Sequence, residues 1–236
     1  MRSADLKVPL GERRALIGPN GAGKTTLFNL ITGELAVDAG RIEIFGVDIT
    51  HKTIQQRAKL GLGRTYQISQ LFLNLTAEEN LFLAAAAGRG MEFHFLRPWR
   101  ARLKLIQWAH QCAEQVKLTS HLSKRVSELS HGLQRQLEVG LAIAMRPRLI
   151  MLDEPAAGLS PSERPVLTSL IKGLSREVTL ILIEHDMEMV LDVADRITVL
   201  QHGSVLAEGI PAEIRSNRKV QDIYLGTIYA RQLGSN

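Results

Sequence analysis

Short apolar runs alternate along the chain with longer segments whose apolar residues recur every three or four positions. This alternation predicts strands and helices taking turns around a largely parallel sheet, an α/β fold. Five runs read as strands. Residues 15–18 feed a glycine-rich loop, and 41–45 (RIEIF) alternate before Gly46. Residues 149–153 (LIMLD), 179–184 (TLILIE) and 196–200 (RITVL) are short, branched and bounded by polar or turn residues, as buried central strands are. Residues 24–34 and 164–174 have helical spacing. Ser162 is placed to cap the second helix, and Pro165 falls in its first turn, where a missing amide costs little. Between about Thr76 and Met145 the strand signals stop, and Thr76 with Glu79 makes a capping box ahead of an alanine-rich helix. The expected organisation is a core of residues 1–66 and 147–210, a helical subdomain over 67–146, and a tail from 211 to 236 made of small helices. His202-Gly203-Ser204 reads as a tight turn between two short strands ahead of that tail.

With 236 residues, 45% of them hydrophobic and 22% charged, the chain can bury its own core, and wholesale disorder is excluded. Its single cysteine, Cys112, cannot form an internal bridge; set among apolar residues, it is expected to be a small buried side chain in a reducing compartment. Apolar stretches such as 81–87 are far shorter than the ~20 residues of a membrane-spanning helix, and the start of the chain carries no apolar signal segment. The chain is therefore expected not to be a membrane protein itself. A net charge of +5 leaves room for nucleic acid, anionic lipid or a phosphate-bearing ligand. Only 5% of residues are aromatic and no basic run is interleaved with rings, so no nucleic-acid partner is expected.

Chemistry concentrates at the ends of the predicted strands. Gly18-Pro19-Asn20-Gly21-Ala22-Gly23-Lys24-Thr25 fits the pattern G-x-x-x-x-G-K-[ST], after a strand and at a helix start. Glycines let the backbone curl so that successive amides face one anion, the helix N-terminus adds partial positive charge, and Lys24 can reach outer phosphates. Thr25 can offer its hydroxyl to Mg²⁺, and Thr26 follows it in the expected nucleotide-binding set. The run 149–153 delivers Asp153 and Glu154 to the carboxyl end of a central strand, where open α/β sheets bind ligands. Asp153 is the expected metal-side carboxylate and Glu154 the expected general base for an attacking water. His185 follows the run 179–184 and should reach the same sheet edge; it either senses the γ-phosphate or caps the next helix.

Leu129-Ser130-His131-Gly132-Leu133-Gln134, together with Gln67 in Arg64-Thr65-Tyr66-Gln67, resembles the signature and glutamine loops of the ATP-binding-cassette ATPase family. The resemblance covers nearly the whole chain. It implies a P-loop nucleoside-triphosphatase core with an inserted helical subdomain, and ATP and Mg²⁺ as cofactors. It also implies that Ser130, Gly132 and Gln134 of one protomer face the nucleotide held on Lys24 of another. By the same resemblance Gln67 is a metal and water contact, with a share in catalysis, that couples the core to a transport partner. Three departures stand out. Leu133 replaces a usual Gln or Glu, Ser160 stands at a usual aspartate, and a strand with an adenine-stacking aromatic residue is expected to be missing ahead of the Gly11-Glu12 turn. Either a late start or a truncated form would explain that last gap. Base stacking is worth ~1–3 kcal/mol, so ATP affinity is expected to be roughly fivefold to a hundredfold lower than with the ring.

Within the family the resemblance is to ATP-binding subunits of branched-chain amino-acid importers. It rests on the segment from Gly63 to Phe72, the insert Phe93-His94-Phe95-Leu96-Arg97-Pro98-Trp99-Arg100, and the tail Val220-Gln221-Asp222-Ile223-Tyr224-Leu225-Gly226. Urea and lipopolysaccharide transport ATPases share parts of this pattern. The implied partners are a second copy or a paralogous ATPase subunit, transmembrane permease subunits and, indirectly, a periplasmic solute-binding protein. The implied place is the cytoplasmic face of the inner membrane. Arg97, Arg100, Arg102 and Lys104 read as a solvated helix face, with Leu103, Ile106 and Cys112 packing the opposite side. A cassette in DNA repair or translation is disfavoured because Lys24 and Asp153 lie too close for a long coiled coil between them. A module that binds nucleotide without turnover is opposed by Glu154 and His185.

Overall fold

The computed structural model describes residues 4–64, 71–88 and 102–223. Strand β1 (Arg13–Ile17) leads through the glycine loop into α1 (Lys24–Thr32). A hairpin of β2 (Glu43–Ile44) and β3 (Val47–Asp48), helix α2 (Ile54–Lys59) and strand β4 (Leu62–Arg64) follow. Helices α3 (Ala77–Ala87), α4 (Leu103–Gln115) and α5 (His131–Ala144) come next. Then β5 (Leu149–Asp153), α6 (Arg164–Lys172), β6 (Thr179–Ile183), α7 (Met187–Val193), β7 (Arg196–Gln201), β8 (Ser204–Gly209) and α8 (Pro211–Ser216) complete the described chain. One six-stranded sheet runs β4-β5-β6-β1-β7-β8, parallel except for β8.

The central strands are largely apolar because both faces of the sheet are covered. In β5, Ile150 and Leu152 join one core with α3, α4, α5 and α6, whereas Leu149 and Met151 join a second beneath α1 with Phe28 and Leu27. Strand β6 divides the same way, Leu180 and Leu182 against Ile181 and Ile183. In β1, Ala15 and Ile17 enter a third core with α7, β7 and Ile214 of α8.

Strand β1 begins two residues earlier than the apolar run, at two arginines that are almost fully buried. Arg13 donates to the carbonyls of Lys172 (2.7 Å) and Leu174 (2.6 Å), closing the end of α6. Arg14 pairs with Glu12 and Glu208 (both 2.6 Å) and donates to Thr198 Oγ1 (2.8 Å). Buried charges survive only when so paired.

Several expectations shift in detail. Of 41–45, only Glu43–Ile44 pairs, because Phe45 (φ 54°) and Gly46 (φ 78°) already make the turn into β3. Helix α1 stops at Thr32, where Gly33 takes the left-handed conformation that ends helices. Ser162 does not cap α6. Glu163 flanks the helix without a side-chain cap, while Ser162 Oγ rests 3.1 Å from Ser160 Oγ. Pro165 does lie in the first turn. On α4, Leu103 is exposed and the buried face is Leu105, Ala109, Cys112 and Ala113, with Ile106 partly buried.

The capping box at α3 forms as read: Thr76 N–H donates to Glu79 (2.8 Å) and Glu79 N–H to Thr76 Oγ1 (3.2 Å). Trp108 Nε1 donates to Ala144 O (2.9 Å), tying α4 to the end of α5. A Cβ at Gly140 would come within 3.1 Å of Val116 and 3.2 Å of Leu81, so the small residue lets these elements approach. Between β7 and β8, His202 (φ 50°) and Gly203 (φ 78°) form a two-residue loop whose twist suits a hairpin.

Candidate nucleotide site

The parallel order β5-β6-β1 brings three strand ends, and the loops that leave them, to one edge of the sheet. After β1 the loop turns at Gly18, Gly21 and Gly23, all at positive φ. Gly18 also has no room for a side chain, since a Cβ would stand 2.2 Å from the carbonyl oxygen of Leu200 in β7. The loop is braced by Ala22 N–H to Pro19 O (3.1 Å) and by Gly203 N–H to Ala22 O (2.9 Å). The expected turn between β7 and β8 thus supports the loop as well as closing its own hairpin.

Helix α1 starts at Lys24 with no side-chain cap, so its first amides keep their capacity to meet an anion. Lys24 is buried, and its ammonium folds back over the loop onto the carbonyls of Gly18 (2.8 Å) and Pro19 (3.2 Å). Burial holds its pKa below the usual lysine value, with Glu154 and Asp153 pulling the other way. Asn20, Gly21 and Thr25 stay exposed on the rim, and Pro19 and Thr26 are partly so.

Asp153 ends β5 beside Ile183 of β6 and is almost fully buried. Glu154 turns out of the strand at φ 48°, its N–H still bonded to Ile183 O (2.9 Å). A left-handed conformation at a non-glycine residue costs of order 1–3 kcal/mol, a strain that the surrounding turn holds in place. His185 Nδ1 lies 3.8 Å from Glu154 Oε1, with the histidine open to solvent and the glutamate half-buried. Glu154 and His185 are therefore brought together at the edge that holds Lys24.

Ser130, Gly132 and Gln134 lie at the start of α5. Exposed Ser130 flanks the helix, with Leu133 N–H 3.4 Å from its hydroxyl. Gln134 Nε2 donates to Val126 O (3.0 Å) and Leu129 O (3.2 Å), so its carboxamide braces the loop before the helix. Gly132 is covered by Glu163, whose Oε1 lies 2.3 Å from where a Cβ would stand. The amide (2.9 Å) and hydroxyl (2.7 Å) of Ser160 hold the Glu163 carboxyl below its usual range, and the Gly132 amide adds to them. A negative charge thus already rests on the N-terminus of α5. Gln67 lies outside the described residues, as do the 93–100 insert, residues 65–70 of the 63–72 segment and the Tyr224-Leu225-Gly226 end of the tail.

One carboxylate had no expected role. Glu184, at the end of the β6 run and almost fully buried, accepts the amides of Ala156 (2.8 Å), His185 (2.9 Å) and Asp186 (3.2 Å). The only sequence signal for it is an acid closing an otherwise apolar run immediately before His185.

The donor set suits a polyphosphate with a divalent cation. A glycine cradle, an uncapped helix start and a lysine offer positive charge, and Thr25 and Asp153 carry oxygens of the hard kind that a divalent cation takes. Among the described residues no cluster of three or more His, Cys, Asp or Glu could hold a metal alone. A cation here would complete its shell from phosphate oxygens and water, the habit of Mg²⁺. An apolar cleft lined by Leu6, Leu10, Leu30, Leu35 and Phe45 includes none of Lys24, Asp153, Glu154 and His185.

Residues 1–157 match the family model described as ABC transporter, and residues 204–230 one described as branched-chain amino acid ATP-binding cassette transporter. The chain is 39% identical over 235 residues to the high-affinity branched-chain amino acid transport ATP-binding protein BraF of Pseudomonas aeruginosa, covering 96% of this chain and 91% of that one. It is likewise 39% identical over 219 residues to LivG of Escherichia coli, covering 90% and 86%. Among solved structures, a nucleotide-free ATP-binding cassette from an ABC transporter aligns with a TM-score of 0.80 at 30% identity, over 93% of this chain and 90% of that one. The ADP conformation of an ATP-binding cassette aligns at 0.79 and 31%, over 93% and 89%. With a phosphate loop, a carboxylate pair and a histidine on one sheet edge and these likenesses along its length, the chain belongs to the ABC transporter family, as an ATP-binding cassette ATPase.

Proposed function

We propose that this cassette powers import of branched-chain amino acids. It pairs with a second copy, or with a paralogous ATPase subunit, around two MgATP on the cytoplasmic face of the inner membrane. Separate transmembrane permease subunits are its direct partners, a periplasmic solute-binding protein its indirect one, and no nucleic acid takes part. The observation that carries the substrate class is the match of residues 204–230 to the branched-chain model, at the far end of the chain from the phosphate loop. No helix among the described residues is long and apolar enough to cross a membrane.

In this reading the amides of residues 18–26 other than Pro19, which has no N–H, hold the β- and γ-phosphates together with Lys24. Thr25, Asp153 and Gln67 would hold Mg²⁺, which neutralises phosphate charge when bound. Glu154 accepts the proton of the attacking water, and His185 donates to the γ-phosphate. Ser130 and Gly132 of the facing copy close the site from the other side, with Gln134 bracing their loop. The core of 1–66 and 147–210 thus grips nucleotide, and the helical subdomain of 67–146 presents the signature residues to a neighbour.

Uptake in cells tests the cargo. Cells lacking this chain should lose ATP-dependent uptake of leucine, isoleucine and valine, and regain it with the wild-type chain but not with Glu154→Gln. Unchanged uptake of these amino acids beside loss of another solute would contradict the substrate class.

A further inference from the structure

We infer that Glu184 is a positioning residue for hydrolysis, a buried carboxylate that holds the Glu154 turn and the His185 turn in one fixed relation. The inference deepens the assignment of Glu154 and His185 above and rests on it. Strands β5 and β6 end side by side, Asp153 opposite Ile183, and the chain turns sharply after each. The first turn closes on itself through Ala157 N–H to Glu154 O (3.0 Å). Its hold on the neighbouring strand is the Glu154 amide on Ile183 O, at the turn's first residue. Further along, Glu184 Oε1 takes the Ala156 amide, while Oε2 takes the amides of His185 and Asp186. One side chain therefore spans both turns, each oxygen assigned to one of them.

The same carboxylate lies 3.7 Å from His185 Nδ1, and Glu154 Oε1 lies 3.8 Å from that atom. Glu184 itself is almost fully buried, and its hydrogen bonds go to backbone amides. Its work is on the backbone from which Glu154 and His185 project. A carboxylate is required because both oxygens must accept. A glutamine keeps one acceptor and turns an amide N–H₂ toward donors on the other side, releasing one turn or the other. Loss of geometry of about 1 Å can cost roughly 100-fold in rate without touching the chemistry directly.

The test measures steady-state ATP hydrolysis and ATP affinity for the full chain and for Glu184→Gln. Turnover should fall by about 10- to 100-fold with the Kd for ATP unchanged within about twofold, because the phosphate loop is not involved. Adding Glu184→Gln to Glu154→Gln should then cost little more, since residues acting as one unit are not additive. Turnover within about twofold of wild type would overturn the inference, as would equal losses of turnover and affinity. Glu184→Asp, which keeps the charge but draws it back by one methylene, is read by the same criteria if the Gln variant does not fold. Failure of both to fold would mark Glu184 as structural only and also overturn it. A Glu154→Gln chain that hydrolyses ATP like wild type would instead remove the underlying assignment of Glu154, a distinguishable result.

Discussion

Lys24 shows what nucleotide must displace. Its ammonium is satisfied by two loop carbonyls, so phosphate binding exchanges these bonds for charge-assisted ones. Hydrogen bonds to charged groups contribute about 1.5–3 kcal/mol. Lys24→Ala should therefore weaken ATP binding by roughly ten- to a hundredfold, read by titration with a fluorescent nucleotide; unchanged affinity would contradict the phosphate-loop assignment. Glu154 carries a different cost. At φ 48° any residue but glycine is strained, and glycine relieves about 1 kcal/mol of it. Glu154→Gly should thus unfold at a higher temperature than Glu154→Ala, with both inactive. Equal melting temperatures would mean the turn relaxes in the absence of the carboxylate.

At the scale of elements, stability and chemistry part company. Cys112 faces the core of α3, α4 and α5, where burial pushes its thiol up to about 12. It should resist a thiol reagent in the native chain and react only as fast as that core opens; rapid labelling of folded protein would sink this. The junction of β1 with the loop before β7 depends on Asp195, which accepts the Arg13 amide (2.8 Å) and pairs with Arg176. Burial pushes the Asp195 carboxyl up, but Arg176, the Arg13 amide and both positive charges outweigh it and leave it below its ordinary 3.8. Because the folded value is the lower one, the contribution is whole above 3.8 and drains as pH falls through the folded value. Asp195→Asn should accordingly flatten the rise of stability with pH in that acid window, followed by denaturant titration. An unchanged slope would assign the acid sensitivity to other carboxylates.

The same elements explain what could be read in advance. The β5, β6 and β7 runs were legible because strands covered on both faces are apolar at successive positions rather than at alternate ones. The capping box of α3 and the turn at His202-Gly203 were legible because their chemistry is local. Strand β4 was not, since Leu62-Gly63-Arg64 has neither alternation nor an apolar run and pairs only because β5 offers an edge. Buried Arg13 and Arg14 hid the start of β1, because Lys172, Leu174, Thr198 and Glu208, which help to satisfy them, lie far along the chain. Ser162 failed as a cap because the helix begins one residue later, with Glu163 in the flanking position, and the Ser162 hydroxyl turns to that of Ser160. Glu184 was invisible as a brace, since its bond to Ala156 exists only once β5 and β6 lie side by side. Asp153, Glu154 and His185 could be placed at one edge from the run lengths alone; the 3.8 Å between Glu154 and His185 could not.

For the whole molecule, the grip on phosphate and the signature residues lie on different parts of one chain. Lys24 and Glu154 project from the sheet edge, whereas Ser130 and Gly132 begin α5, where their hydrogen bonds and covering groups come from the 126–134 and 160–163 segments. The proposed cycle completes the site only when a second cassette brings its own α5 to the nucleotide. Glu163, now over Gly132, adds a negative charge where the neighbour's phosphate must approach, so closure should require saturating nucleotide. The most direct measurement is the mass in solution of the Glu154→Gln chain with and without MgATP, by sedimentation equilibrium. Monomer without nucleotide and dimer with MgATP, reversed by adding Ser130→Glu, is the predicted result. A Glu154→Gln chain that binds ATP yet stays monomeric at saturating MgATP would contradict the paired-cassette account.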